Sequence, residues 1–384
     1  MAVRRVPITG SVLRWAMADA DLTAAELAHR TEASLEEVQA WLVEREQPST
    51  KQFNQIASAV GRPPSFLLMP EAPPNEQISI SYRKLRAVEN EDGERGADQK
   101  AIQLARRLQE TTEWLGRRLR HSSPEVPEFN LNYDTESAAL WLRFHLQWSL
   151  DEQLEKGRTA ANVAQLMRGK LQDLGILVLH VSLSADTVRG FSLPNESAPL
   201  IAINTKDIYE ARLFSYVHEL AHLSLRSGAL CLNSENYGEE RWCNQVAAAL
   251  LMPADRLSSE VQSRKLFRGE NPIGDVRQLA RLFRVSMSSM AIRVESLGWA
   301  ENGLFDEING TVGSRKRKGG TFDPDRIRNK ARARIQDYGR AFVGQVLEAD
   351  DSGLLPRYQA LDLLRLSRAE YDELRQISDS GVEG

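Results

Sequence analysis

Apolar residues recur at helical spacing through most of the chain and switch to strand spacing in one short region. Near the N-terminus Val12, Leu13, Ala16 and Met17 form a single stripe, the recurrence of an amphipathic helix. Thr23 opens TAAELAHRT with Glu26 three residues on, and Ser34 opens SLEEVQAWL with Glu37 three residues on. Both are capping-box spacings, in which a hydroxyl and a carboxylate close the first turn reciprocally. Two such helices joined by a tight turn make a helix-turn-helix. QPSTKQFNQIASAVG supplies a further helix after Pro48-Ser49, and the proline-dense PPSFLLMPEAPPNEQ then marks a boundary.

Beyond that boundary DQKAIQLARRLQETTEWLGRRLR carries apolar residues at helical spacing on a charged background and reads as a long connecting helix. Gly175-ILVLHVSLS, Thr187-VRGFSL and Pro199-LIAIN read as three strands. After Pro253 the helical period returns in VRQLARLFRVS and MSSMAIRVESLGW; Arg315-KRKGG reads as a basic loop, and helical patterning resumes over 335–376. The expected division is 1–70 for the helix-turn-helix, 71–125 for a linker and connecting helix, 126–257 for a mixed domain, 258–300 for a helical subdomain, and 301–384 for a basic loop and helical region. The expected fold class is α+β, mostly helical, with a small sheet. No solenoid-type repeat is present.

Composition changes this picture little. With 42% hydrophobic and 27% charged residues the chain is ordinary for a globular protein. Its net charge of −4 means that any nucleic-acid contact must come from a local patch. No apolar run is long enough to cross a bilayer. MAVRRVPITGSVLRWAM lacks the apolar core of an export signal, so the expected location is the cytoplasm, with no membrane partner. Cys231 and Cys243 are too few for a disulfide framework.

The chemistry concentrates in Tyr216-Val-His-Glu-Leu-Ala-His-Leu223, which holds two of the six histidines. On a helix His218 and His222 share one face and can direct both imidazoles at one ion. Glu219 is rotated about 100° from His218, beside the ion instead of on it, where it can take a proton from bound water. Two imidazoles and a carboxylate in an apolar helix would otherwise each need a buried partner. A hydrolytic site needs a third ligand and an open fourth position. The best donor lies near the start of Glu239-Glu-Arg-Trp-Cys-Asn-Gln-Val-Ala-Ala-Ala-Leu-Leu-Met-Pro253, and spacing alone leaves Glu235, Glu239 and Glu240 open.

FSYVHELAHLSL followed by E-x-x-C-N-x-V-A-A-A-L-L-M-P resembles the ImmA/IrrE family of zinc metallopeptidases. In that family the second helix reads E-x-x-A-N-x-F-A-x-x-L-x-P, and its glutamate is the third ligand. Aligning Asn244 and Cys243 with the family's Asn and Ala places the ligand at Glu240, and LIAIN followed by YEARLFSYVHE matches the strand-then-helix lead-in. Cys243 and Val246 depart from the usual alanine and aromatic. The cysteine falls one turn after Glu240, as a small core residue or a further thiolate donor. The resemblance implies a zincin-like domain holding zinc through His218, His222 and Glu240. Glu219 would be the base that assists attack of zinc-bound water on a peptide carbonyl. Tyr216, Tyr237 and His180 are candidate second oxyanion donors, each more often structural.

Trp41-LVEREQPS followed by Gln52-FNQIA resembles an XRE-type helix-turn-helix, and FLLMPEAPP, ISYRKLR, LARLFRVSMSSMAIRVESLGW and RKRKGG resemble the architecture that fuses this module to an ImmA/IrrE-type peptidase. Arg30, Ser34, Gln39, Arg45 and Lys51 are the candidate DNA contacts. Against them stand Glu32, Glu36, Glu37, Glu44 and Glu46, which would repel phosphate. Glu32 and Glu44 also occupy positions where such modules usually carry glycine. Arg106, Arg107, Arg117, Arg118 and Arg120 read as a solvated or paired face, and Arg326, Arg328, Lys330, Arg332 and Arg334 spread around a helix.

The expected function is a zinc endopeptidase coupled to transcriptional regulation, which cuts a repressor, an antitoxin or itself. Its partners would be a DNA-binding repressor or a toxin–antitoxin protein, with DNA and homo-oligomers compatible. The alternative is a DNA- or protein-binding regulator in which the peptidase fold is a sensor or docking platform.

Overall fold

Reciprocal caps open three of the first four helices in the computed structural model, which describes residues 5–20, 22–60, 64–69, 95–155, 158–183, 188–226, 237–269, 271–312 and 329–379. These fall into two compact units, 1–92 and 93–384.

In the first unit α1 spans Gly10–Asp19, α2 Ala24–Arg30, α3 Leu35–Leu42 and α4 Thr50–Ala59, followed by a 3-10 turn at Pro64–Leu68. The two capping boxes read from the sequence are present. Glu26 accepts from the Thr23 N–H at 2.8 Å and Glu37 from the Ser34 N–H at 2.8 Å, while the hydroxyls accept in return. Ser49 and Gln52 form a third box at α4. Leu13, Ala16, Leu27, Val38, Trp41, Phe53 and Ile56 make the core.

Both turns that flank α3 need left-handed backbone, at Glu32 (φ 52°) and Glu44 (φ 58°). A residue with a β-carbon adopts it at a cost of about 1–2 kcal/mol. Each glutamate has a compensating contact. The Glu44 carboxylate accepts from the Gly10 N–H at 2.8 Å, at the start of α1, and Glu32 pairs with Lys51 at 2.6 Å. Glycine is required at Gly10, where a β-carbon would come 2.4 Å from the Leu42 carbonyl oxygen.

The second unit begins with α5 (Arg95–Leu119), then α6 (Thr135–His145), α7 (Leu150–Leu154) and α8 (Ala160–Asp173). The strands follow as β1 (Leu177–Val181), β2 (Gly190–Leu193) and β3 (Leu200–Asn204). The sheet order is β1-β3-β2. β1 runs parallel to β3, with Leu177 opposite Leu200; β2 runs antiparallel, with Gly190 opposite Ile203. β3 is central and wholly buried, as its unbroken apolar run requires. β2 is an edge strand among the described residues.

The site helices come next, α9 (Tyr209–Ser224) and α10 (Tyr237–Leu251). α9 packs against α8, α10, β2 and β3, and α10 also packs against α6. Pro253 ends the α10 run and caps α11 (Ala254–Ser263). α12 (Pro272–Phe283), with Pro272 in its first turn, and α13 (Met287–Ser296) realise the two apolar patterns that follow. α14 (Leu304–Val312) completes a core cluster that runs from Ala138 to Ile308.

The last helices are α15 (Lys330–Tyr338), α16 (Arg340–Asp351), α17 (Arg357–Leu364) and α18 (Arg368–Asp379). Patterning alone placed the start of this helical region five residues too late. Lys330 pairs with Glu370 and Arg334 with Asp337, and Arg117 of α5 pairs with Glu113. Arg315 to Lys318, Arg326 and Arg328 lie outside the described residues. The architecture is mostly helical with one small sheet, as the pattern predicts.

Candidate metal centre

Helical geometry brings His218 and His222 one turn apart on α9, with their Nε2 atoms 3.2 Å from each other. From the facing helix Glu240 places Oε1 3.2 Å from His222 Nε2 and Oε2 3.4 Å from His218 Nε2. These three residues converge as a donor set that could hold a cation among the described residues. Zinc bonds of about 2.0–2.1 Å at tetrahedral angles separate neighbouring ligand atoms by about 3.3 Å. The imidazole–imidazole spacing matches that separation, and the Glu240 carboxylate turns one oxygen to each imidazole, so the three residues fit around one ion. His222 is fully buried. Burial would lower its pKa, but the Glu240 carboxylate and the nearby Glu219 and Glu239 charges prevail and hold it above the ordinary histidine value. The Phe214 ring, one turn before His218, stacks on that imidazole with centroids 6.3 Å apart.

Glu219 is buried on a neighbouring face of α9, against the edge strand. A β-carbon at Gly190 would lie 3.3 Å from Glu219 Oε1 and 2.9 Å from the Ala202 carbonyl oxygen. Gly190 thus leaves room for the carboxylate, the close approach that a glycine inside a strand often marks. Burial raises the Glu219 pKa and Glu240 adds to the rise, while the His218 and His222 imidazoles and the Ser192 hydroxyl act against it.

Cys243 lies one turn after Glu240 and is fully buried in the core. Burial, then the Glu240, Glu219 and Glu239 charges, push its thiol well above the usual range. It belongs to the packing and is not among the converging donors. Glu239 is likewise outside that set, and Glu235 and Cys231 lie outside the described residues.

The three oxyanion candidates separate. Tyr216 precedes His218 by two residues and so faces about 160° away around the helix. Its hydroxyl meets His180 Nε2 at 2.5 Å, and His180 Nδ1 lies 3.3 Å from an Arg168 guanidinium nitrogen; that guanidinium also donates to the Val178 carbonyl at 3.0 Å. Tyr216 and His180 therefore belong to a buried network behind α9. Tyr237, exposed at the start of α10, lines a cleft of about 1330 Å³ together with Glu240.

In the N-terminal unit Arg30, Gln39 and Arg45 are exposed. Ser34 caps α3, and Lys51 is paired with Glu32. The sequence reading missed Gly190, Ser192 and the residues of the cleft. Only the first left a local signal, as a glycine inside a strand.

Two packed helices carrying a His-His-Glu donor set with a buried carboxylate alongside have the layout of a metallohydrolase. Residues 171–295 match the family model of the IrrE N-terminal-like domain, Peptidase_M78. That match spans the sheet, both site helices and α11 to α13. Among curated proteins, none matches the chain. A solved Mycobacterium tuberculosis transcriptional regulator is similar at 16% identity and a TM-score of 0.31, over 49% of this chain and 51% of that one. The chain spans about half the length of that structure. No described helix is long and apolar enough to cross a membrane.

Proposed function

We propose that the chain is a zinc-dependent endopeptidase coupled to transcriptional regulation, acting on a regulatory protein such as a repressor or an antitoxin. The observation that carries this reading is the 3.2–3.4 Å convergence of two imidazoles and one carboxylate beside a buried glutamate. His218, His222 and Glu240 would hold the zinc. When bound, it supplies Lewis-acid polarisation of a carbonyl and lowers the pKa of a water.

Glu219 is the proton carrier. Its surroundings raise its proton affinity, which suits a group that accepts a proton during attack and returns it to the leaving amine. β2 offers its outer edge to an extended peptide, whose main chain could pair there as an added strand. Arg189 and Gly190 would bring that peptide past Glu219.

The N-terminal unit would supply the link to transcription. Arg30, Gln39 and Arg45 are available to DNA, but Ser34 and Lys51 already serve contacts within the unit. The acidic first turn of α3, with Glu36 and Glu37, favours a protein partner over phosphate. A gel-shift series at rising salt, with Gln39→Ala and Arg45→Ala, tests the DNA contribution; no specific shift at low salt removes it.

The test of the enzyme is Glu219→Gln in the full chain. Metal content should stay at the wild-type level while hydrolysis falls about 10²–10⁴-fold. Regulatory activity that survives this substitution unchanged would favour the docking-platform reading.

A further inference from the structure

The cleft that contains Glu240 opposes the charge of the whole chain. The chain carries a net −4, yet the cleft is lined by seven arginines and three glutamates, a formal balance of +4 before any cation is bound. Two of the arginines are occupied. Arg293 pairs with Glu136 at 2.7 Å, and Arg158 pairs with Glu155 at 2.5 Å. A third, Arg284, is turned onto backbone carbonyls, including that of Arg158 at 2.7 Å.

The other four differ. Arg189 precedes Gly190 at the edge strand, Arg241 follows Glu240 on α10, and Arg277 and Arg281 lie one turn apart on α12. All four are exposed, and none has a carboxylate partner among the described residues. Four unpaired guanidiniums around one concavity repel one another unless an anion joins them. The planar guanidinium also binds a carboxylate by two parallel hydrogen bonds.

The remaining lining is mixed, with hydroxyls and amides such as Ser289 and Asn244, and includes the large apolar side chains of Phe214, Ile208, Ile292 and Phe305. A nucleic-acid backbone would leave those large apolar side chains uncovered, whereas a peptide that alternates acidic and large apolar side chains would meet both them and the arginines. We propose that the cleft selects an acidic peptide segment of a partner protein, with its carboxylates on Arg189, Arg241, Arg277 and Arg281 and its apolar side chains on the large apolar residues of the same cleft. This names the substrate class of the proposed peptidase and rests on that reading. It supplies the selectivity that a three-ligand cation site lacks.

The test measures binding without cleavage, so it is separable from the peptidase reading. Fluorescence anisotropy on the full-length Glu219→Gln chain would compare a fluorescein-labelled peptide, in which glutamates alternate with leucine and phenylalanine, with its glutamine-for-glutamate copy. The acidic peptide should bind about tenfold tighter, because each exposed guanidinium–carboxylate contact is worth up to about fivefold. The preference should collapse in about 0.5 M salt. Arg277→Ser combined with Arg281→Ser should remove most of it and leave the glutamine copy unaffected. Arg277→Glu with Arg281→Glu should transfer the preference to a lysine-for-glutamate copy.

Equal binding of the acidic and glutamine peptides to the Glu219→Gln chain would overturn the proposal, and this comparison needs no arginine variant to fold. So would an oligothymidylate that binds tighter than the acidic peptide and loses affinity in the same double variant. Metal content and hydrolysis, measured separately on the wild-type chain, show whether the peptidase reading stands in either case.

Discussion

In the N-terminal unit Ser34 meets Glu37, Glu44 meets the start of α1, and Lys51 meets Glu32. On α9 and α10, by contrast, His218, His222 and Glu240 meet one another. The first set joins donors to acceptors, and each contact stabilises a helix end or a turn. The second gathers two imidazole nitrogens and a carboxylate, groups that bind a metal through their lone pairs when the imidazoles carry no proton there. Lone pairs held 3.2–3.4 Å apart oppose one another unless a proton or a cation lies between them. Ser34, Glu37, Glu44, Glu32 and Lys51 thus serve the fold of the N-terminal unit, while His218, His222 and Glu240 make sense as a ligand set.

His222→Ala is the most damaging way to break the second set. It removes a fully buried donor, so metal should be lost and hydrolysis should drop to background. The readouts are metal analysis and a peptide assay on the same preparation; full metal content would separate this histidine from the site.

Gly190→Ala probes the neighbouring carboxylate. The new methyl would press on the Ala202 carbonyl and on Glu219, so hydrolysis should fall by about 10–100-fold while metal remains. Stability should fall by about 1–3 kcal/mol. Unchanged turnover would show that Glu219 tolerates displacement.

The first set yields smaller effects. Glu44→Ala loses the contact at the start of α1 and keeps the left-handed backbone, for a loss of about 1 kcal/mol in denaturant unfolding. Glu44→Gly loses the same contact but accepts φ 58° freely, so it should be the milder change by about 1 kcal/mol. The reverse order would mean that the turn is not under strain.

The smallest effect concerns Glu370, which accepts from the Ser367 backbone and pairs with Lys330; the backbone contact first and the lysine after it hold its carboxyl down at about 2. A depressed carboxylate stabilises the fold above its unfolded value of 4.5 and loses that contribution as pH falls toward 2. Glu370→Gln should therefore lower the melting temperature slightly at neutral pH. The difference from wild type should shrink progressively below pH 4.5 and vanish near pH 2. A difference constant with pH would contradict the assignment.

Much of this was legible in the sequence because it is local. Thr23–Glu26 and Ser34–Glu37 are three residues apart, and His218–His222 four, so the helix period alone sets their geometry. Glycine-like positions at Glu32 and Glu44 were recognisable only through a family pattern, and the backbone is left-handed at both. The choice of Glu240 over Glu239 also needed that pattern, because neither helix alone says how the two pack. The arginine cleft was invisible, since Arg189, Arg241 and Arg277 come from the residue before a strand and from two helices well separated in the chain. Tyr216 shows the converse limit. It was one of three candidate oxyanion donors, each more often structural, and two residues apart on a helix it points nearly opposite to His218.

The most direct test of the central claim is metal content per chain, measured after zinc loading and exhaustive buffer exchange, for wild type, Glu240→Ala and Glu239→Ala. The account predicts one zinc per wild-type chain, one in Glu239→Ala, and almost none in Glu240→Ala. A full equivalent retained by Glu240→Ala, or none bound by the wild type, would contradict it.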